Sequence, residues 1–296
     1  MKTNIIYNED CIEGMKELPD ESIDLVITDP PYGISYQSNY KQIKFKKLKN
    51  DDNLNWFSDF SKQVYRVLKN NTSLFLFTRA DKIGLMMDNL VSVGFKFKNL
   101  IIVPTRNNLR MGDLKASFIT NFECILYFNK GRNIFRETKI KKPSEGYYKD
   151  KRWNHRDYQY RLPALWDFVK ATEHNLNLVH PTQKSVEVFE SMIKICSDEN
   201  SIVLDPFSGS GTFAIASLNT NRQFIGYEID PQYYKLSLER LSDKTSTLPN
   251  GNPNGEFNMG LEVPTSSPPK LSPTEITSPN PNIKLNSQVL LQARQS

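Results

Sequence analysis

The sequence predicts an α/β fold built on a doubly wound, mostly parallel sheet. Seven short apolar runs have the length and composition of buried strands, and they cover residues 4–8, 23–28, 72–78, 98–104, 123–128, 201–205 and 223–228. Helical spacing of apolar residues occurs between several of them, at 11–18, 56–68, 82–94, 185–197 and 211–219. Strands that alternate with helices favour a parallel sheet covered on both faces.

Composition divides the chain into a folded part and a tail. The 296 residues are 38% hydrophobic, which suffices for one α/β domain, expected over residues 1–242. The character changes after about residue 243, and residues 245–282 hold 8 of the 17 prolines. Such a segment buries too little apolar surface to offset the entropy of ordering, so 243–296 is expected to be a disordered Pro/Ser/Asn-rich tail.

Cysteine usage and hydropathy exclude several classes of protein. Cys11, Cys124 and Cys196 lie far apart, and there are only three histidines, so we expect neither a disulfide framework nor a metal site. The N-terminus lacks an apolar leader, and no apolar run approaches the length of a membrane span. We therefore expect a cytoplasmic protein without a membrane attachment.

The stretch ITDPPYG, residues 27–33, ends the second apolar run in an unusual way. Two consecutive prolines stop both a β-ladder and a helix, and the residue before a proline prefers extended geometry. Taken alone, these residues are equally typical of an ordinary strand exit and of a site. The rest of the chain has to decide between the two interpretations.

A glycine loop follows the sixth apolar run, in SIVLDPFSGSGTFAIAS at 201–217. Gly209 and Gly211 permit a tight turn at the start of a helix, and Glu228 ends the next strand, where an acid can accept hydrogen bonds from ribose hydroxyls. The dinucleotide pattern G-x-G-x-x-G is absent, and Asp205 would repel a pyrophosphate. A nucleoside with an ammonium and a sulfonium fits better, which favours S-adenosylmethionine.

Three motifs together resemble the beta class of amino-methylating DNA methyltransferases: DPPY at 29–32, DPFSGSGT at 205–212 and HPTQKS at 180–185. The resemblance covers about residues 1–242. It implies a methyltransferase catalytic domain whose catalytic residues are Asp29, Pro30, Pro31 and Tyr32. Its expected cofactor contacts are Asp10, Asp205, Phe207, Gly209, Gly211, Thr212, Glu228, Thr182 and Lys184. The stretch ending in Ser185 also fits a simple N-cap of the following helix, and both interpretations can hold.

The motif order implies a circularly permuted sheet of the S-adenosylmethionine-dependent methyltransferase type. The glycine loop and ribose acid lie near the C-terminus, whereas the third cofactor strand is expected at the N-terminus, ending in Asp10. The strand ending at Asp205 should then lie beside the strand ending at Asp29, so that both loops open on one carboxyl edge.

At that edge DPPY has a specific task. The lone pair of an exocyclic base amine is delocalised into the ring, so the amine is a poor nucleophile. The Asp29 carboxylate and the Pro30 carbonyl can each accept one N–H bond and free that lone pair for attack on the methyl group. Tyr32 can stack on a base turned out of the duplex. An Asp at position 29 favours adenine N6 over cytosine N4 as the target.

The DNA-binding part is expected in an insertion at 136–175. Residues 136–161 carry nine basic and four acidic side chains with interleaved aromatic rings, as phosphate contacts and base stacking require. Candidate contacts are Lys141, Lys142, Lys151, Arg152 and Arg156. A solvated basic loop is the alternative. A second basic loop at 40–49 either closes over the flipped base or is a solvated loop.

Other functions remain open from the sequence. Cytosine-N4 methylation uses the same chemistry, and a catalytically silent nucleic-acid binder is a third interpretation. A nicotinamide oxidoreductase is disfavoured by the glycine spacing. The expected partner is double-stranded DNA, with a cognate restriction endonuclease as a second candidate, and the oligomeric state is left open, a homodimer included.

Overall fold

The computed structural model describes residues 1–33, 53–105, 116, 118, 120–136, 163–166, 169 and 184–246. Seven strands form one sheet: β1 (Ile5–Tyr7), β2 (Ile23–Thr28), β3 (Leu68–Thr78), β4 (Lys96–Pro104), β5 (Phe122–Lys130), β6 (Ile202–Asp205) and β7 (Gln223–Tyr227). All seven coincide with predicted strands.

The strand order is β1-β7-β6-β2-β3-β5-β4. The pairs among the first five strands in this order are parallel, whereas β5 runs antiparallel to both β3 and β4. The N-terminal strand β1 thus lies beside the late strand β7, and β6 lies beside β2. This confirms the doubly wound, mostly parallel sheet and its permuted strand order.

Six α-helices accompany the sheet in the described part of the chain: α1 (Cys11–Lys16), α2 (Phe57–Val67), α3 (Ile83–Ser92), α4 (Val186–Cys196), α5 (Thr212–Asn219) and α6 (Pro231–Ser246). The first five match predicted helices. Asp10 caps α1, since its carboxylate accepts from the backbone N–H of Ile12 at 2.8 Å. Ser185 caps α4 in the same way, through the N–H of Glu187.

Two cores follow from the alternation of side chains along the strands. On one face of the sheet, α1, α2 and α3 cover side chains such as Val26 and Leu74. On the other face, α4, α5 and α6 cover neighbouring side chains such as Leu25 and Phe75. Central strands buried on both sides read as continuous apolar runs, which is why the sequence identified them.

Helix α6 was not predicted. Its sequence is mostly polar, and in the apolar core it contributes chiefly Leu241, with Tyr234 packed at the margin. The start does carry a signal: the Asp230 carboxylate accepts from the N–H of Gln232, and Pro231 occupies the first helical turn. The helix ends four residues beyond the expected domain boundary at 242.

Part of the expected DNA-binding insertion lies along the edge strand β4. The backbone of Ile102 donates to Ala164 O and accepts from Trp166 N, both at 2.8 Å, and Trp166 is buried. This portion of 136–175 is therefore anchored in the core. Residues 137–162, the basic loop at 40–49 and the tail from 247 lie outside the described residues. None of the helices that the structure describes is long and apolar enough to cross a membrane.

Candidate active site

Two carboxylates meet where the adjacent parallel strands β2 and β6 end. Asp29 follows β2 directly and Asp205 is the last residue of β6. The hydroxyl of Thr28 donates to Asp205 Oδ1 at 2.7 Å and joins the two strand ends. Carboxyl ends of parallel strands are where ligands bind in open α/β sheets, and the predicted convergence of the two motifs is present.

Asp29 is held on both of its oxygens. The Tyr32 hydroxyl donates to Oδ1, and Lys184 Nζ lies 3.3 Å from Oδ2. Burial raises the pKa of Asp29, while Lys184 and the Tyr32 hydrogen bond oppose that rise. Pro30 is buried beside them, and Pro31 is partly buried. The carboxylate therefore has a fixed orientation at the strand end.

Lys184 also lies 3.1 Å from Glu123 Oε2, and its side chain is only 7% exposed. Burial lowers the pKa of Lys184, but the two carboxylates together raise it above its ordinary value. The sequence predicted Lys184 as a cofactor contact, which stays a prediction. The structure places its ammonium against the proposed catalytic carboxylate.

The glycine loop between β6 and α5 has the predicted tight turn. Gly209 and Gly211 have φ of +51° and +76°. A Cβ on Gly211 would lie 3.0 Å from the Cβ of Ser237, so both backbone conformation and space favour glycine there. Asp205 Oδ1 accepts from Phe207 N at 3.0 Å, and Thr212 is buried at the first turn of α5.

Glu228, just after β7, is tied to the same loop. Its carboxylate accepts from Gly209 N through Oε2 and from Asp230 N through Oε1, both at 2.8 Å. Ser208 N donates to Tyr227 O at 2.8 Å, which closes the loop onto the end of β7. The ribose acid and the glycine turn are thus parts of one hydrogen-bonded unit.

Both cofactor-side carboxylates have strongly raised pKa values. Burial raises the pKa of Asp205 to about 7, with smaller contributions from Asp29 and Glu228, and burial likewise raises the pKa of Glu228 to about 7. Among the described residues, neither carboxylate has a lysine or arginine within salt-bridge distance. The residues fit a nucleoside ligand that brings its own positive charge and hydroxyl donors.

The remaining predicted cofactor residues flank this unit. Asp10 lies after β1, next to β7, and uses Oδ1 to cap α1. Phe207 packs against Trp56 and Phe60, with ring centroids 5.3 and 5.4 Å apart. The loop is thereby attached to the core under α2. Contact of Asp10 and Phe207 with a cofactor stays a prediction.

Three site residues escaped the sequence reasoning: Thr28, Glu123 and Arg240. The Arg240 guanidinium, on α6, donates to Ser210 Oγ at 2.8 Å and to Ser210 O, and it lies 3.4 Å from Thr212 Oγ1. The Asp-Pro start of α6 was the available signal for that helix. Glu123 lies 94 positions after Asp29, so no local pattern connects them.

Some predicted residues fall outside the described part of the chain. These are Thr182, Lys141, Lys142, Lys151, Arg152 and Arg156, whose roles stay predictions. Within the described residues, no group of three His, Cys, Asp or Glu side chains is arranged to hold a metal ion.

Comparison with known proteins gives the family. A family model described as DNA methylase, covering N6 and N4 enzymes, matches residues 23–239. The type II methyltransferase M.BglII of Bacillus subtilis is 31% identical over 83% of this chain and 72% of its own.

Solved structures agree with this result. The M1.HpyAVI–SAM complex is 27% identical, with a TM-score of 0.56 over 80% of this chain and 98% of that chain. The cytosine-N4-specific PvuII DNA methyltransferase is 19% identical and shares the fold, with a TM-score of 0.62 over 82% of this chain and 92% of that one. The chain belongs to the N6/N4 family of DNA methylases.

Proposed function

We propose that this chain transfers a methyl group from S-adenosylmethionine to the N6 amine of adenine in double-stranded DNA. The observation that carries the proposal is the junction of β2 and β6. There, an oriented Asp29 carboxylate adjoins the glycine loop, and neither the buried Asp205 nor the partly buried Glu228 has a lysine or arginine within salt-bridge distance among the described residues. S-adenosylmethionine supplies an electrophilic methyl group on a cationic sulfur, which leaves as a neutral thioether.

The cofactor side of the site, formed by the glycine loop, Asp205 and Glu228, binds and orients S-adenosylmethionine. The backbone N–H groups of the glycine loop and the Glu228 carboxylate suit ribose hydroxyls, while Asp205 suits the cationic methionine end. Ionised Asp205 and Glu228 gain a favourable partner when such a ligand replaces solvent. Raised pKa values are expected for buried carboxylates in a site that binds a cationic ligand, and Asp205 and Glu228 both have them.

The target side of the site, formed by Asp29, Pro30 and Tyr32, acts on the exocyclic amine of the base. Asp29 and the Pro30 carbonyl accept the two amine hydrogens, which withdraws the nitrogen lone pair from the ring and directs it at the methyl carbon. A C–N bond forms as the C–S bond breaks, and the methylated nitrogen then releases one proton to solvent. For Tyr32 to stack on a flipped base, its hydroxyl must leave Asp29 Oδ1, which frees that oxygen for the amine.

Adenine is favoured over cytosine by the Asp at position 29, and cytosine N4 is the second candidate, since the family includes both. A cognate restriction endonuclease stays a prediction.

The test is transfer of labelled methyl groups from S-adenosylmethionine to unmethylated genomic DNA, with the modified base identified by mass spectrometry. Label on adenine N6 supports the proposal. Label on cytosine N4 keeps the chemistry and overturns the base assignment. No label, with the cofactor still bound, contradicts the enzymatic function and supports a silent binder.

A further inference from the structure

The ammonium of Lys184 bridges two carboxylates that come from strands two positions apart in the sheet. Asp29 follows β2 and Glu123 belongs to β5, with β3 between them. Lys184 Nζ lies 3.3 Å from Asp29 Oδ2 and 3.1 Å from Glu123 Oε2. It also lies 5.2 Å from the ring centroid of Phe77, on the intervening strand.

Burying these charged side chains costs free energy of folding. The side chains of Lys184 and Glu123 are only 7% and 10% exposed, and each would be strongly destabilising in that position without a charged partner. Buried ion pairs of this kind are often no more stabilising than apolar side chains of equal volume. Fold stability therefore explains the cluster poorly, whereas its contact with Asp29 connects it to the reaction.

We propose that Lys184 and Glu123 are positioning residues for methyl transfer: Lys184 holds Asp29 as an oriented carboxylate, and Glu123 fixes Lys184 above Phe77. This inference rests on the proposed function, because it assigns Asp29 the role of amine acceptor. With Oδ2 held by Lys184, Oδ1 is the oxygen left to exchange its Tyr32 bond for a bond to the amine.

The groups that face Asp29 determine how it titrates. Lys184 and the Tyr32 hydrogen bond lower the pKa of Asp29, whereas burial and Glu123 raise it. Asp205, the nearest carboxylate on β6, adds a further negative charge. Removal of Lys184 and removal of the Glu123 charge should therefore move the pKa of Asp29 in opposite directions.

The experiment compares Lys184→Met with Glu123→Gln, which keeps an oxygen acceptor for Lys184. At saturating cofactor and DNA, we expect Lys184→Met to lower kcat by about 100-fold, while cofactor affinity changes less than about threefold. Its kcat should fall off at higher pH than in the wild type on the acid side. Glu123→Gln should move the same acid limb to lower pH.

Matched controls come from α4. Lys194→Met and Glu190→Gln remove a partly exposed ion pair, 3.9 Å apart, which lies on the helix that follows Lys184, and they should leave the pH profile unchanged. Lys184→Arg should recover part of the lost kcat, because it restores the cation.

Two outcomes overturn the inference. One is a Lys184→Met variant whose cofactor affinity falls at least about tenfold while kcat at saturation persists, since Lys184 would then be a cofactor contact. The other is acid limbs that move together or stay fixed in the two variants. Titration of the Asp29 carboxyl carbon by NMR, without substrate, tests the same opposite shifts. It stays decisive even if the wild type fails to methylate DNA, an outcome that would reject the proposed function alone.

Discussion

The two halves of the site balance their charges differently. On the target side, Asp29 has an ammonium from its own chain, Lys184, within 3.3 Å. On the cofactor side, Asp205 and Glu228 accept only from a hydroxyl and from backbone N–H groups among the described residues. The fold thus supplies a counter-charge to the target-side carboxylate, whereas the cofactor-side pair is suited to a ligand that carries the missing positive charge.

The largest expected effect on cofactor binding comes from Asp205→Asn. The variant keeps the Oδ1 acceptor for Thr28 and Phe207 but removes the negative charge. We expect S-adenosylmethionine affinity, measured by titration calorimetry, to fall roughly 10- to 100-fold. Asp59→Asn, on the exposed face of α2, is the control. Unchanged affinity in Asp205→Asn would contradict the claim that the negative charge of Asp205 helps to bind the cationic cofactor.

A pH series sharpens the same contrast. Asp205 and Glu228 have pKa values of about 7, above their ordinary values of 3.8 and 4.5, so the folded protein without cofactor binds their protons more tightly than the unfolded chain. Their contribution to stability is complete below those ordinary values and is lost as pH rises through about 7. The Tm of the cofactor-free protein should therefore fall as the pH is raised from 5 to 8, which scanning calorimetry in a series of buffers measures.

The cofactor should reverse that trend, because it binds the ionised carboxylates. For each of the two carboxylates that must be ionised, we expect the affinity to fall by up to about tenfold per pH unit below 7. Asp205→Asn should flatten this dependence and raise the Tm of the cofactor-free protein at pH 8, where the wild type holds buried charges. A Tm that rises with pH in the cofactor-free wild type would contradict the assignment.

The smallest expected effect concerns the hydrogen bonds from Arg240, on α6, to Ser210 of the glycine loop. Arg240→Met removes the guanidinium that donates to Ser210 but keeps much of the apolar stem. Cofactor affinity should fall by about three- to tenfold, with kcat at saturation retained, since the loop is less ordered before binding. Lys235→Met on the exposed face of the same helix is the control. Equal effects of the two variants would mean that the loss of affinity comes from a less stable helix and not from the missing Arg240–Ser210 hydrogen bonds.

The sequence was sufficient where structure depends on local pattern. Buried parallel strands are continuous apolar runs, and the strand ending at Asp205 was expected beside the strand ending at Asp29, as found. Helix α6 was missed because its apolar face is narrow, with Leu241 as its buried apolar anchor. The antiparallel placement of β5 depends on pairing partners that no local pattern identifies.

The candidate site was predictable in its motifs but not in its cross-strand contacts. DPPY and the glycine loop each carry a local signature, so their meeting could be inferred from the topology of parallel strands. Asp29 and Glu123 share the ammonium of Lys184 only because β5 lies two strands from β2 and Lys184, two residues before α4, lies between the two carboxylates. Contacts over such sequence distances follow from the folded sheet, not from spacing.

The most direct test of the division between the two sides is Asp29→Asn, which preserves shape and removes the charge. Cofactor affinity by calorimetry and single-turnover methyl transfer to DNA should be measured on the same preparation. We expect affinity within about threefold of the wild type and transfer slower by about 1000-fold. Parallel loss of binding and transfer, or transfer at the wild-type rate, would contradict the role assigned to Asp29.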